Sequence, residues 1–251
     1  MPDQLPPPTP PPREPLKASH KVMLGVALLL VLLKLIETFA RVPFGTPAEQ
    51  AFFGWKPVLF FIALLLLGSG FAHVIGFPGM WEKTVSNRQR VWIPLLIGLV
   101  FGAALLVANR AVASAHAYAA AMGQATRAMP FFSALLTQTY KGVGAAIFFT
   151  LFPITFAVWF IGTLLMSRRW PTPVFWTVSV LVCMLEPYWT LRNNNWALLH
   201  AAPVSAALVV LIVLMYAMDF VSAILLRRFG FTAVLILRLS AVAVWHIIGK
   251  F

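Results

Sequence analysis

Seven long apolar stretches follow one another along the chain, and the shorter segments between them hold most of the charged residues. Each stretch is long enough to form a helix across the hydrocarbon core of a bilayer, which takes about twenty residues. The pattern therefore predicts an all-α, polytopic membrane helical bundle with seven transmembrane helices. We place these helices at residues 22–40, 57–76, 91–108, 142–166, 171–191, 203–226 and 229–248.

Two segments depart from this pattern. Residues 1–21 are rich in proline, which lacks the N–H group that a helix needs, so we expect a disordered cytoplasmic tail ahead of one transmembrane domain at 22–251. Residues 109–141 are rich in alanine and carry Arg110 and Arg127. They predict a pair of amphipathic helices at the membrane surface, or an eighth, half-buried span.

The composition agrees with a membrane protein. Hydrophobic residues make up 61% of the chain and charged residues only 10%, which is too little charge for the surface of a soluble domain. The net charge is +12, but lysines and arginines stand singly or in pairs at the ends of the apolar stretches and form no basic face. We therefore expect contact with the lipid bilayer and none with nucleic acid. The single cysteine, Cys183, excludes an intrachain disulfide and is predicted to be a packing residue.

The distribution of lysine and arginine predicts the orientation. If the seven spans alternate, ten of these residues fall on the side of the N-terminus and seven on the opposite side. The short-loop pairs Arg168–Arg169 and Arg227–Arg228 belong to the first group. Because positively charged loops stay in the cytoplasm, we predict a cell-membrane protein with its N-terminus inside and its C-terminus outside.

Ionisable residues inside the apolar stretches are the candidates for function, because an unpaired charge in hydrocarbon is unfavourable by several kcal/mol. Lys34 and Glu37 are three residues apart and so lie on one helix face. We interpret them as a structural pair that neutralise each other, with a functional pair as the alternative. The other candidates are Glu186, Asp219, Arg238 and His246.

These four residues lie in the last three predicted spans. Arg238 is near the middle of the final helix and His246 follows two turns later, so both side chains can face one interior groove. A guanidinium at this depth needs a carboxylate, and the neighbouring spans supply Glu186 and Asp219. The sequence thus predicts a buried polar cluster. Pro187 is expected to kink or end the fifth helix beside it.

The same residues also allow simpler interpretations. Asp219 can pair with Arg227 in the following loop, and Glu186 can pair with Arg192 across less than two turns. His246 can be an ordinary interfacial histidine in an aromatic belt. The sequence leaves both sets of interpretations open.

Standard catalytic and cofactor motifs are missing from the sequence. It contains no P-loop, GxGxxG, HExxH or GxSxG motif, and no pair of cysteines for a metal. The five histidines fall at no spacing of three or four, so they do not indicate a helix-borne metal or haem site. The residues by themselves therefore indicate no metal and no other cofactor.

Three stretches in the second half of the chain share the spacing of motifs known from one family. PITFAVWFIGTLLMSRR places Gly162 as in a first motif region, FWTVSVLVCMLEPYW places Ser179 on a second motif helix, and LLRRFGFTAVLILRLSAVAVWH places Gly230 before a closing helix. Over residues 142–248 the chain resembles the CPBP family of intramembrane proteases, which is related to the type II CAAX prenyl endopeptidases. The resemblance implies a protease-like helical core in that region.

The residues that carry catalysis in that family are replaced here. Phe156 and Ala157 stand where the family has paired glutamates, Glu186 where it has a histidine, and Arg238 close to its last histidine. In the family these glutamates and histidines are thought to bind a metal or to activate water. The resemblance therefore implies a member that has lost hydrolysis, or one that hydrolyses with different residues.

Three functional hypotheses follow. The first is a non-catalytic or strongly divergent CPBP-like protein that binds a membrane segment or a partner within the bilayer. The second is an active intramembrane endopeptidase, in which Glu186 and His246 are catalytic, Asp219 and Arg238 support them, and a divalent metal takes part. The third is a small transporter or lipid-handling protein that uses the same charges as a path for protons or headgroups.

Overall fold

The computed structural model describes residues 17–40, 53–82, 84–115, 130–165, 171–194 and 206–248. The regular elements in these ranges are all helical. Their nine α-helices are α1 (Lys17–Ala40), α2 (Trp55–Val74), α3 (Ile93–Ala115), α4 (Phe131–Ala145), α5 (Phe152–Trp159), α6 (Pro171–Val182), α7 (Leu185–Asn194), α8 (Ala206–Phe229) and α9 (Phe231–Val242). Four π-helical segments continue them, Arg88–Trp92 before α3, Ala146–Leu151 between α4 and α5, Phe160–Leu165 after α5 and Ala243–Ile247 after α9.

These helices combine into membrane spans. Among the described residues, six stretches are long and apolar enough to cross a membrane, namely Ser19–Phe39, Trp55–Val74, Arg88–Ala113, Phe131–Thr163, Thr172–Arg192 and Ala206–Phe229. A seventh apolar helix, Phe231–Ile247, is shorter. We number these stretches as spans one to seven. The protein is an all-α, multi-pass membrane bundle, as its hydrophobic pattern predicted.

The first span begins earlier than the sequence predicted. α1 starts at Lys17, whereas the predicted tail ended at residue 21. The last proline before the helix is Pro15, so residues 17–21 contain nothing that interrupts helical hydrogen bonding. The rest of the predicted tail, residues 1–16, lies outside the described residues.

The prediction of a surface segment at 109–141 is wrong where the structure describes it. α3 continues to Ala115, since alanine favours helix, and α4 already begins at Phe131. The polar side chain of Gln138 on α4 is buried within the bundle and does not face a membrane surface. Both ends of the segment therefore belong to spans three and four. Residues 116–129, where an eighth span was also considered, lie outside the described residues.

α9 lies at the centre of the bundle. It packs against α3, α4 and α8, and nine of its twelve residues are buried. Most of the surface of α9 therefore faces other helices and not lipid. Span seven is thus an interior helix, and it carries Arg238 inside the bundle.

Two glycines of α3 let α9 approach closely. A Cβ atom added at Gly98 would clash with the hydroxyl oxygen of Ser240 and the carbonyl oxygen of Leu237, and one at Gly102 would lie 2.6 Å from the carbonyl oxygen of Ala241. The two glycines are four residues apart and so form one groove on the helix surface. This is the GxxxG arrangement that brings membrane helices into backbone contact.

A tight junction joins spans six and seven. Gly230 separates α8 from α9. Its φ of +82° is a backbone conformation that residues with a Cβ atom rarely adopt. A Cβ atom at this position would lie 2.7 Å from the carbonyl oxygen of Gly79, in the loop after span two. Next to it, the hydroxyl of Thr232 donates a hydrogen bond to the carbonyl of Met80. The loop therefore packs against the beginning of α9 and is hydrogen-bonded to it.

Contacts at the span ends agree with strict alternation across the membrane. Arg227, at the end of span six, donates a 2.9 Å hydrogen bond to the hydroxyl of Thr172, at the start of span five. Its guanidinium carbon lies 4.6 Å from the ring centroid of Phe175. Gly230 in turn lies against Gly79. These two contacts place the end of span two, the start of span five and the end of span six on one face of the bundle. The cytoplasmic assignment of this face remains the prediction from its arginines.

Replacing Gly230 by alanine is expected to destabilise the protein by about 2 kcal/mol, because the new Cβ atom strains a left-handed backbone and meets the carbonyl of Gly79. Thermal unfolding of the purified protein in detergent measures the effect. Gly70→Ala is the matched control, since a Cβ atom at Gly70 meets nothing within 4 Å. Equal unfolding temperatures for the two variants would contradict this account of the junction.

Candidate functional site

Arg238 is the centre of a buried ion cluster. One terminal nitrogen of its guanidinium, Nη1, donates to the carboxylate of Glu186, and the other, Nη2, donates to the carboxylate of Asp219. Nη2 also donates to the hydroxyl of Thr150 at 3.2 Å. The side chain of Arg238 is 2% exposed, that of Asp219 3% and that of Glu186 14%. Four spans thus meet at one guanidinium.

Asp219 reaches the cluster from the buried face of α8. Other buried residues of this helix precede and follow Asp219 at intervals of three or four residues, namely Leu211, Met215 and Ser222. This periodicity turns the carboxylate toward the interior. The simpler pairing with Arg227 is therefore not formed, since Asp219 binds Arg238 and Arg227 binds Thr172.

Glu186 enters the cluster where span five is interrupted. α6 ends at Val182, residues Cys183 and Met184 form a turn, and α7 begins at Leu185. Pro187 has no N–H with which to bond the carbonyl of Cys183, four residues earlier, so the helix breaks. The break agrees with the interruption expected at this proline. It leaves Glu186 in the first turn of α7.

Thr150 is a member of the cluster that the sequence did not reveal. It lies in the π-helical segment Ala146–Leu151, in the middle of span four. Pro153 follows it and cannot bond the carbonyl of Phe149, which helps to explain an irregular helix there. A threonine just before a proline in an apolar run was the available signal. Nothing in the run itself indicated that its hydroxyl would meet Arg238.

The cluster has more negative than positive charge, and not all of its polar atoms are bonded. With every group ionised, two carboxylates and one guanidinium sum to −1. Among the described residues, the second carboxylate oxygen of Asp219, Oδ2, is buried without a hydrogen-bond partner, and so is the Nε atom of Arg238. The hydroxyl of Ser179 on α6 is likewise buried and unpartnered. Buried polar atoms normally find a partner, so these three atoms need an explanation.

Lys34 and Glu37 form a separate ion pair on α1. The ammonium of Lys34 donates to the carboxylate of Glu37, three residues later, and the two side chains are 12% and 18% exposed. The structure brings this pair together on one helix face, with one charge of each sign. The two charges therefore neutralise each other within span one.

His246 lies two turns beyond Arg238, in the π-helical segment Ala243–Ile247. Eight residues correspond to about 12 Å along a helix axis. Its ring stacks on that of Trp245, with centroids 4.2 Å apart. Glu186 meanwhile binds Arg238, so the structure gathers Glu186, Asp219 and Arg238 into one cluster and leaves His246 further along the helix.

His, Cys, Asp and Glu side chains do not gather as metal ligands in the part of the chain that the structure describes. No group of three or more His, Cys, Asp or Glu side chains is placed there so that it could hold a metal ion. The divalent metal that an active protease-like site would use therefore has no ready ligand set among those residues.

Comparison of the chain with models of protein families, with curated proteins and with solved structures found no match. The CPBP-like resemblance thus stays a hypothesis from the sequence. The function has to be argued from the cluster itself.

Proposed function

We propose that this protein is a small, non-catalytic membrane transporter that passes a small cation or a proton through the cluster around Arg238. The observation that carries the proposal is a group of two carboxylates and one guanidinium enclosed in the interior of a membrane bundle. Ionisable residues inside membrane spans are rare, and they mark ion pathways, proton relays and binding sites. The greater exposure of Glu186 gives the cluster one more accessible side.

Two interrupted helices beside the cluster support the proposal. Span five breaks at Cys183 and Met184, directly before Glu186, and span four is π-helical around Thr150. In transporters, interrupted membrane helices supply free backbone carbonyls at the substrate or ion site. π-Helical turns are also frequent at functional sites. The sequence alone had offered no such pair of interruptions in favour of transport.

The endopeptidase alternative has weaker support. A general base must reach the proton of an attacking water, whereas the carboxylate of Glu186 accepts a hydrogen bond from Arg238. His246, the other residue of that hypothesis, lies about 12 Å along the helix from Arg238. In this arrangement the carboxylate of Glu186 serves as the ionic partner of Arg238.

A non-catalytic, CPBP-like protein that binds a membrane segment of a partner is the second candidate. Glu186 and Arg238 stand where that family carries histidines, and here they bind each other. This favours a scaffold whose catalytic groups have been replaced by an internal ion pair. Such a scaffold would hold a partner helix and would conduct no ion.

Ion flux through reconstituted protein tests the proposal and separates the two candidates. Liposomes that contain the purified protein are given a gradient of Na⁺, K⁺ or H⁺, and the flux is followed with an enclosed ion-sensitive dye. We expect flux above that of protein-free liposomes, a loss of about tenfold or more in Asp219→Asn, and little change in the control Glu37→Gln, which alters the separate pair of span one. Flux no greater than in protein-free liposomes for all three ions would contradict transport and favour the binding scaffold.

A further inference from the structure

With both carboxylates ionised, the cluster lacks one positive charge. Arg238 neutralises one of the two carboxylates that it binds, and Lys34, another lysine within a span, is paired with Glu37. A net charge of −1 in a low-dielectric interior is strongly unfavourable unless a counter-charge joins it. One additional unit of positive charge brings the cluster to neutrality.

Two buried oxygen atoms, one in span five and one in span six, lack a hydrogen-bond partner among the described residues. Oδ2 of Asp219 has no hydrogen-bond partner among the described residues, although the other oxygen of that carboxylate binds Arg238. The hydroxyl oxygen of Ser179 is also buried and unpartnered, and Ser179 is fully enclosed. These are the oxygen ligands that small, hard cations prefer.

The interrupted helix places Ser179 and a free carbonyl shortly before Glu186 in span five. Ser179 and Cys183 are four residues apart, and the N–H of Cys183 bonds the carbonyl of Ser179, so both follow one face of the span up to its break. Span five packs against span six, which carries Asp219. Pro187 leaves the carbonyl of Cys183 without its helical partner, which adds a third oxygen donor.

We propose that a monovalent metal cation binds between spans five and six, held by Oδ2 of Asp219, the hydroxyl of Ser179 and the carbonyl of Cys183. Its single charge completes the neutrality of the cluster, whereas a divalent ion would leave an excess of one positive charge. The assignment rests on the proposed function and names the ion class that would be carried. Glu186 and Arg238 then act as the fixed pair that positions Asp219 from its other oxygen.

Thermal unfolding in different salts tests the assignment. The full-length protein in neutral detergent is unfolded in NaCl, KCl, LiCl and choline chloride at one ionic strength, so that general screening is constant. A ligand that binds only the folded state raises the unfolding temperature with its concentration. We expect at least one metal chloride to raise that temperature in a saturable way relative to choline. Equal curves in all four salts would overturn the site.

Two variants locate the cation. Asp219→Asn is expected to abolish the salt-specific shift. Ser179→Ala removes one oxygen ligand, so we expect the same shift to require about a tenfold higher cation concentration. The stability of this variant in choline chloride should be unchanged or higher, because the lost hydroxyl has no hydrogen-bond partner there. Glu37→Gln is the control and should keep the full shift. A Ser179→Ala variant with an unaltered cation response would remove Ser179 from the site.

Combined with the flux measurement, these curves separate the two proposals. A saturable cation shift without ion flux supports the site and contradicts transport. Proton flux without any cation shift supports transport and overturns the metal site, because a proton would then supply the missing charge. Absence of both results contradicts both proposals.

Discussion

The variant Arg238→Met is expected to lose about 3–5 kcal/mol of folding stability, the usual effect of removing one partner from a buried ion pair. Methionine fills much of the space of arginine but leaves the carboxylates of Glu186 and Asp219 facing each other without a counter-charge. A loss of this size is a large part of the stability of a typical domain. Denaturant unfolding in detergent, together with the yield of folded protein from membranes, measures it.

The stability should return when the carboxylates are neutralised as well. In the triple variant Arg238→Met, Glu186→Gln and Asp219→Asn, no charge remains in the cluster, so we expect most of the lost stability to be recovered. Lys34→Met breaks an ion pair that is partly exposed and should have a smaller effect. An Arg238→Met variant as stable as the unaltered protein would show that the three charges do not depend on one another.

Gly102→Val is expected to destabilise the protein by about 3 kcal/mol, at the upper end of the usual effect of overpacking. Even one added carbon would lie 2.6 Å from the carbonyl oxygen of Ala241 and 2.8 Å from the Cβ atom of Val244. Because backbone atoms cannot move aside as a flexible side chain can, α9 would have to shift away from α3. We expect the same direction for Gly98→Val, and thermal unfolding measures both.

The glycines on open surfaces provide the matched comparison. Gly25 also lies within a membrane helix, but a Cβ atom there meets nothing within 4 Å. Gly25→Ala should therefore be neutral or stabilising by up to about 1 kcal/mol, the difference in helix propensity between the two residues. If Gly25→Ala and Gly102→Val destabilise equally, the effect arises from glycine substitution in general and not from the contact of α3 with α9.

The positions of the spans and the ionic partners of Arg238 could be predicted from the sequence. Length and hydropathy are enough to locate a membrane helix, and the spacing of Lys34 and Glu37 placed them on one face. Arg238 had few acidic residues to choose from inside the bilayer, so its pairing with Glu186 and Asp219 followed from scarcity. Strong constraints of this kind leave few alternatives.

The remaining features depend on tertiary packing, which a single sequence does not display. The contact of Thr150 with Arg238 requires two spans to meet at one depth. Gln138 belongs to the segment that was predicted to lie at the surface, whereas neighbouring helices bury it. The prediction that Arg238 and His246 can face one groove assumed α-helical spacing, whereas the helix becomes π-helical at Ala243, and a π-helical turn has a different periodicity.

The central position of α9 has a consequence for biosynthesis. Chain order places α9 after α3, α4 and α8, the helices against which it packs, so those helices enter the membrane before it is made. Until then Glu186 and Asp219 lack their guanidinium, and Arg238 itself is a poor residue for membrane insertion. The carboxylates and the guanidinium of the cluster thus lower the free-energy cost of placing one another within the bilayer. A chain whose translation stops before Arg238 would expose two unpaired acids within the bilayer, which quality-control proteases of the membrane can recognise.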